Sequence, residues 1–217
     1  MGRARADARA AVGAVSAVLD AAFFARWMAA ADAAVDREAD RLTELDAAIG
    51  DADHGVNMRR GFTAVVSAQE VEPQATPGAV LVAAGRRLIS TVGGASGPLY
   101  GTLLRGAGKA LGDAAEVTPE DLGRALRAGV EAVARLGGAA AGDKTMLDAL
   151  EPGARALERG GGFGEAARAA REGAVATVPM LARKGRASYL GERSVGHEDP
   201  GAASSALLFA ALAEAAA

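Results

Sequence analysis

The chain has 217 residues, with 24 lysines and arginines against 27 acids, a formal net charge of −3, and no cysteine. That length suits one domain with a sizeable core, and the balanced charge excludes a general nucleic-acid or membrane-surface binder. Without cysteine there is no disulfide, thiolate nucleophile or cysteine-held metal; a reducing compartment fits, and a cytoplasmic location is expected.

Hydrophobic residues make up 50% of the chain, much of it alanine, and aromatics only 4%. Alanine is the strongest helix former, and small side chains let helices approach closely. Runs of valine and isoleucine that would announce strands are missing, so the expected class is all-α. The opening MGRARADARAAVGAVSAV has a basic start and an apolar run, as export signals do. However, Asp7 and Asp20 flank a run of mostly alanine, glycine and valine, and the segment is read instead as an N-terminal extension. No stretch has the roughly 20 strongly apolar residues of a membrane span.

Eight helices are predicted, at about 20–46, 55–69, 77–91, 97–112, 119–136, 143–160, 164–185 and 200–216. The first carries Trp27, Met28, Ala31, Val35, Leu42 and Leu45 near a 3.6 period. Thr118-Pro119-Glu120 sets a cap and then proline at the first helical position, and Asp199-Pro200 repeats the device. Asp143 is the expected cap of the sixth helix. No internal repeat or composition shift divides the chain, so one domain is expected, over residues 19–217 after a peripheral 1–18.

The connections carry the chemistry. In LDAAIGDADHG, Asp46, Asp51 and Asp53 crowd beside His54 between Gly50 and Gly55. Like charges repel unless a cation lies between them, and an all-carboxylate set suits magnesium or calcium and not zinc. The twelve-residue calcium loop with its closing glutamate is absent, which leaves magnesium with substrate phosphates; a solvated acidic turn uses the same residues. The helix after Gly55 points its free N–H groups at the acids, favouring a phosphate there. His54 can donate to a phosphate oxygen or cap the helix.

TVGGASGPLYGT offers a second nest, with Gly93, Gly94, Gly97 and Ser96 opening a helix. AGDKTMLDALEP sets Lys144, Thr145 and Met146 at a helix start. ARKGRASYLGERSVGHEDPG gathers Arg183, Lys184, Arg186 and Arg193 in one long polar loop, which is either solvated or suited to phosphate contact. No GxxxxGK[ST] loop and no GxGxxG pattern with flanking strands is present.

Together DAAIGDADHGVNMRRGF, GGASGPLYGT, GDKTMLDALEP and ARKGRASYLGERSVGHEDPGAASSA resemble the nucleotide-binding L subunit of dihydroxyacetone kinase, from about Trp27 to the C-terminus. The resemblance implies a single-domain barrel of eight antiparallel amphipathic helices with the nucleotide site at one end. It implies that Asp46, Asp51 and Asp53 hold two magnesium ions (Mg2+) against the phosphates, with His54 beside them as part of the catalytic set. It assigns contacts to ADP or ATP to His54, Gly55, Val56, Asn57, Ala95, Ser96, Gly137, Met146, Arg186, Asp199, Pro200 and Gly201.

The resemblance also implies partners. Dihydroxyacetone is held on a separate K subunit, as a hemiaminal on a histidine. In one branch ADP stays bound and is recharged by an M-type phosphotransferase protein fed from phosphoenolpyruvate; in another, fused K and L domains use exchangeable ATP. The first branch is expected here, and a homodimer is compatible with it. Similar L subunits serve kinases of other small sugars. A regulatory nucleotide-binding module is a different class of reading; the three acids count against it. Fatty acid kinase has an L-like domain too, with threonine at the place of His54 and without the full RKGRASYLGERSVGH loop.

Overall fold

A computed structural model describes residues 18–217. The expected extension, apart from Val18, lies outside them. Among the described residues are eight α-helices: α1 (Ala21–Ile49), α2 (His54–Val71), α3 (Pro77–Thr91), α4 (Ser96–Leu111), α5 (Pro119–Gly137), α6 (Leu147–Glu158), α7 (Gly162–Ala176) and α8 (Pro200–Ala215). A 3-10 helix, Arg186–Ser194, interrupts the last connection. The only pairing of strands among these residues is a two-residue antiparallel contact, β1 (Leu19–Asp20) with β2 (Glu116–Val117). The protein is all-α. No described helix is long and apolar enough to cross a membrane.

Each helix packs on the next, and α8 returns against α1, so the contacts close into a ring. Trp27 seals the closure: its indole N–H donates to the Leu208 carbonyl at 2.9 Å, with the ring buried beside Phe24. Small residues bring the helices close. A Cβ on Gly85 of α3 would stand 2.7 Å from the Gly101 carbonyl of α4, and the reverse substitution meets the same distance.

The starts follow local chemistry. Thr118 and Asp121 form a reciprocal capping box before α5, with Pro119 at its first turn. Asp199 caps α8 by accepting from the Ala202 N–H at 2.7 Å. Other boundaries differ from expectation. α6 begins at Leu147 and not 143, because Lys144 takes a left-handed φ of 61°, and Asp143 accepts from Ala140 N–H instead of capping a helix. α7 stops at Ala176; Pro179 disfavours helical backbone at Val178 and cannot donate to a helical carbonyl. α8 is buried on nearly every side, from Ala202 through Ala206 and again at Leu208, Phe209, Ala211 and Leu212, so it is not amphipathic.

Candidate functional site

The apolar stripe of α1 runs through Ala39 and Leu42 to Asp46 and Ile49, at spacings of three and four. Asp46 thus occupies a core position of its helix, 7% exposed, with its carboxylate beneath the turn that follows. Asp46 Oδ2 accepts the N–H groups of Asp53 (2.9 Å) and His54 (3.1 Å). This pulls residues 50–53 over the helix end, with Ala52 at a positive φ of 63°. Gly50 is required in that turn, since a Cβ there would stand 2.0 Å from Asp46 Oδ1. At Gly55 a Cβ would stand 1.9 Å from the Ala39 carbonyl, so α2 begins directly on the backbone of α1.

As a result one carboxylate oxygen from each of Asp46, Asp51 and Asp53 lies within 4.8 Å of the others. Three hard oxygen donors at this spacing fit magnesium or calcium. Arg186 Nη2 stands 3.0 Å from Asp51 Oδ2 in an exposed pair. Such a pair is worth little in water and is readily exchanged for a ligand.

The acids face a cavity of about 520 Å³. Its wall combines the ends of α1 and α5 and the loop after α3 with the starts of α2, α4, α6 and α8. Four helix starts, with their positive dipole ends, surround one space. Those of α2 and α4 have no side-chain cap. Leu99, Val133, Leu136 and Met146 give the cavity an apolar side.

Of the residues expected at a site, Asp46, Asp51, Asp53, His54, Ala95, Ser96, Gly137, Met146, Arg186, Asp199, Pro200 and Gly201 line this cavity. Gly55, Val56 and Asn57 do not: Gly55 is spent on packing, Val56 is 49% exposed, and Asn57 Oδ1 accepts from Arg60 at 2.8 Å. Tyr100, Leu99, Leu136 and Lys144 also line it. Leu136, at the end of α5, carries no motif that would single it out, and Tyr100 stands unmarked among the glycines of TVGGASGPLYGT.

A buried hydroxyl network supports His54. Its Nε2 is 2.8 Å from Ser204 Oγ and its Nδ1 3.2 Å from Ser96 Oγ. The Tyr100 hydroxyl lies 2.6 Å from Ser204 Oγ and 2.9 Å from Ser205 Oγ. Burial holds the His54 imidazole below its ordinary pKa, outweighing Asp46, Asp53 and Asp51, which pull it up. Burial also raises the Tyr100 phenol, which stays protonated.

Asp199 is buried at the cavity wall, and burial, with Asp148 nearby, pushes its carboxyl up to about 7 although the Ala202 N–H and Lys144 pull it down. The folded protein thus keeps a proton that the unfolded chain, near 3.8, releases. This contribution to stability is complete below about pH 4 and is lost as the pH rises to about 7. Asp199→Asn keeps the cap on Ala202 and removes the titration. In ligand-free protein it should flatten the fall in melting temperature across that window; a slope identical to wild type would contradict the shift.

The fold and the cavity together define an all-helical domain with an acidic pocket ringed by helix starts. A model of the DAK2 domain matches residues 48–214, and the chain belongs to that family. It is 43% identical over 187 residues to the ADP-binding subunit DhaL of PEP-dependent dihydroxyacetone kinase 1 of Listeria innocua, covering 86% of this chain and 92% of that one. It is 41% identical over 198 residues to the corresponding Escherichia coli subunit, covering 88% and 94%. Among solved structures it resembles the dihydroxyacetone kinase from C. freundii in complex with AMP-PNP and Mg2+, with a TM-score of 0.72 and 27% identity. That match covers 99% of this chain and 37% of the larger kinase.

Proposed function

We propose that this chain is the nucleotide-binding subunit of a dihydroxyacetone kinase. It presents a magnesium-bound nucleotide for transfer of a phosphoryl group to dihydroxyacetone held on a separate K-type subunit. ADP remains bound as a coenzyme and is recharged by a phosphoenolpyruvate-dependent phosphotransferase protein. The observation that carries this reading is the meeting of three carboxylates and four helix starts at one cavity. ADP-binding subunits that match this chain over more than nine-tenths of their own length support it.

Asp46, Asp51 and Asp53 would hold two magnesium ions. Bound there, the cations would neutralise the carboxylates, the phosphates and the charge that develops in transfer. The uncapped start of α4 would direct its N–H groups at the phosphates from the side of Ala95 and Ser96, and the positive dipole end of α8 would face them from the side of Pro200 and Gly201. Arg186 exchanges Asp51 for a phosphate oxygen. Leu99, Leu136 and Met146 form an apolar seat for the base. His54 stays neutral and steadies Ser96.

The acceptor is set by the partner. A 42% identical relative, the L-erythrulose 1-kinase of Mycolicibacterium smegmatis, is a longer protein of which this chain spans 33%. That relative is named for a different sugar.

Retention of ADP follows from the number of desolvated, charge-assisted contacts, since affinity differences appear mainly in the off-rate. The chain purified without added nucleotide should release stoichiometric ADP on denaturation and exchange labelled ADP slowly. An empty site that exchanges ATP and ADP within milliseconds would instead favour the ATP-dependent branch.

A further inference from the structure

We propose that Lys144 is a positioning residue whose ammonium clamps the neck of the loop at residues 178–198, fixing Arg186 and Asp199 against the cavity. The proposal rests on the reading of that cavity as a nucleotide site, which gives the loop its ligand.

Lys144 is 1% exposed and has the left-handed φ of 61° that side chains seldom adopt. Such a conformation persists only where the surroundings over-determine it. Here the Asp148 carboxylate gathers the N–H groups of Gly142 and Thr145 on either side of Lys144. The turn so formed aims the side chain between α7 and the segment leading into α8.

Its Nζ donates to the Thr177 carbonyl at 2.9 Å and the His197 carbonyl at 2.5 Å. These two acceptors are where the long loop departs and where it returns. A single ammonium therefore joins both ends of the loop, spending two of its three donors on them. Beside it the Gly196 N–H donates to the Val178 carbonyl at 2.8 Å, and the Asp199 N–H to Thr177 Oγ1 at 2.9 Å. Arg183 N–H, inside the loop, donates back to the Asp143 carbonyl at 3.0 Å. Glu198 is held from outside by Arg41 at 2.5 Å and Arg171 at 3.0 Å.

Beyond this neck the loop is a small unit of its own. Ala182 and Ala187, with Leu190 beside them, pack on Ile49, at the end of the helix that carries Asp46. Ser194 Oγ accepts from Ala182 N–H and donates to the Gly191 carbonyl. A loop with a fixed neck and its own packing presents Arg186 to Asp51 in one geometry. Released at the neck, it would present a spread of geometries and lose the pre-organisation that slows ligand escape.

Lysine occurs only at 109, 144 and 184, so ¹⁵N-lysine labelling gives three ammonium groups to follow by NMR in ligand-free protein. The Lys144 ammonium should exchange its protons with water far more slowly than that of exposed Lys109. In Lys144→Met, hydrogen exchange across residues 182–196 should rise about tenfold or more while α1 to α5 stay protected. ADP measured with magnesium should leave about tenfold faster, and Lys144→Arg should recover part of both effects.

The clamp is overturned if the Lys144 ammonium exchanges as fast as that of Lys109. It is equally overturned if folded Lys144→Met leaves loop exchange unchanged, or raises it evenly over the whole chain. If Lys144→Met does not fold, the wild-type ammonium signal decides alone. These arms need no nucleotide; failure of the wild-type chain to bind ADP would instead overturn the reading of the cavity.

Discussion

Asp51→Ala is expected to abolish most phosphoryl transfer while leaving the fold intact. Asp51 lies on an exposed turn, bonded to nothing in the core, and its partner in this structure is the exposed Arg186. Losing that pair costs little stability, so the melting temperature of the ligand-free chain should change little. The effect on chemistry is of another order. The phosphates would face two carboxylates instead of three, with a cation held less firmly. Metal stabilisation of developing charge is commonly worth several kcal/mol, so a loss of about a thousandfold in kcat is expected in an assay with the partner subunits. Asp46→Ala should be as damaging to transfer and more damaging to stability, because Asp46 Oδ2 also organises the turn through Asp53 and His54. Wild-type-like turnover by Asp51→Ala at saturating magnesium would refute the assignment of these acids.

The second large effect concerns division of labour. The purified chain alone should show no measurable phosphorylation of free dihydroxyacetone, and a K-type subunit should restore turnover. A covalent hemiaminal needs an accessible nucleophilic nitrogen beside the nucleotide. The chain has only two histidines. Both ring nitrogens of His54 are engaged by Ser96 and Ser204. His197 is exposed and does not line the cavity. Neither offers an acceptor seat. The measurement is a coupled assay of dihydroxyacetone phosphate formation, with and without the partner. Robust product from the chain alone would show that the acceptor site lies here after all.

Much of this could be read from the residues, for identifiable reasons. Helix starts were legible where a side chain does the capping, as at Thr118-Pro119 and Asp199-Pro200, because that chemistry is local. The acid cluster was legible because crowding of like charge in a glycine-flanked turn is costly without a function. Its depth was less so: Asp46 is buried because it falls on the stripe after Leu42, and the helix continues to Ile49 instead of ending at the aspartate. The start of α6 was hidden because it depends on a left-handed lysine, a conformation that propensity disfavours and that the Asp148 contacts help sustain. The end of α7 was legible in principle from Pro179, but the alanine-rich run before it carried the helical period onward. The apolar wall at Leu99, Val133 and Leu136 was beyond reach. Those side chains read as ordinary core positions until the ring closes and leaves them facing a space.

The central claim is that one cavity holds a nucleotide through cations seated on the three aspartates. Calorimetric titration of nucleotide-free chain with ADP, in magnesium and again in excess chelator, tests it most directly. A single tight site per chain is expected in magnesium, at least a hundredfold weaker in chelator (about 2.7 kcal/mol), and equally weak for Asp53→Ala in either condition. Tight binding that ignores both magnesium and the loss of Asp53 would contradict it.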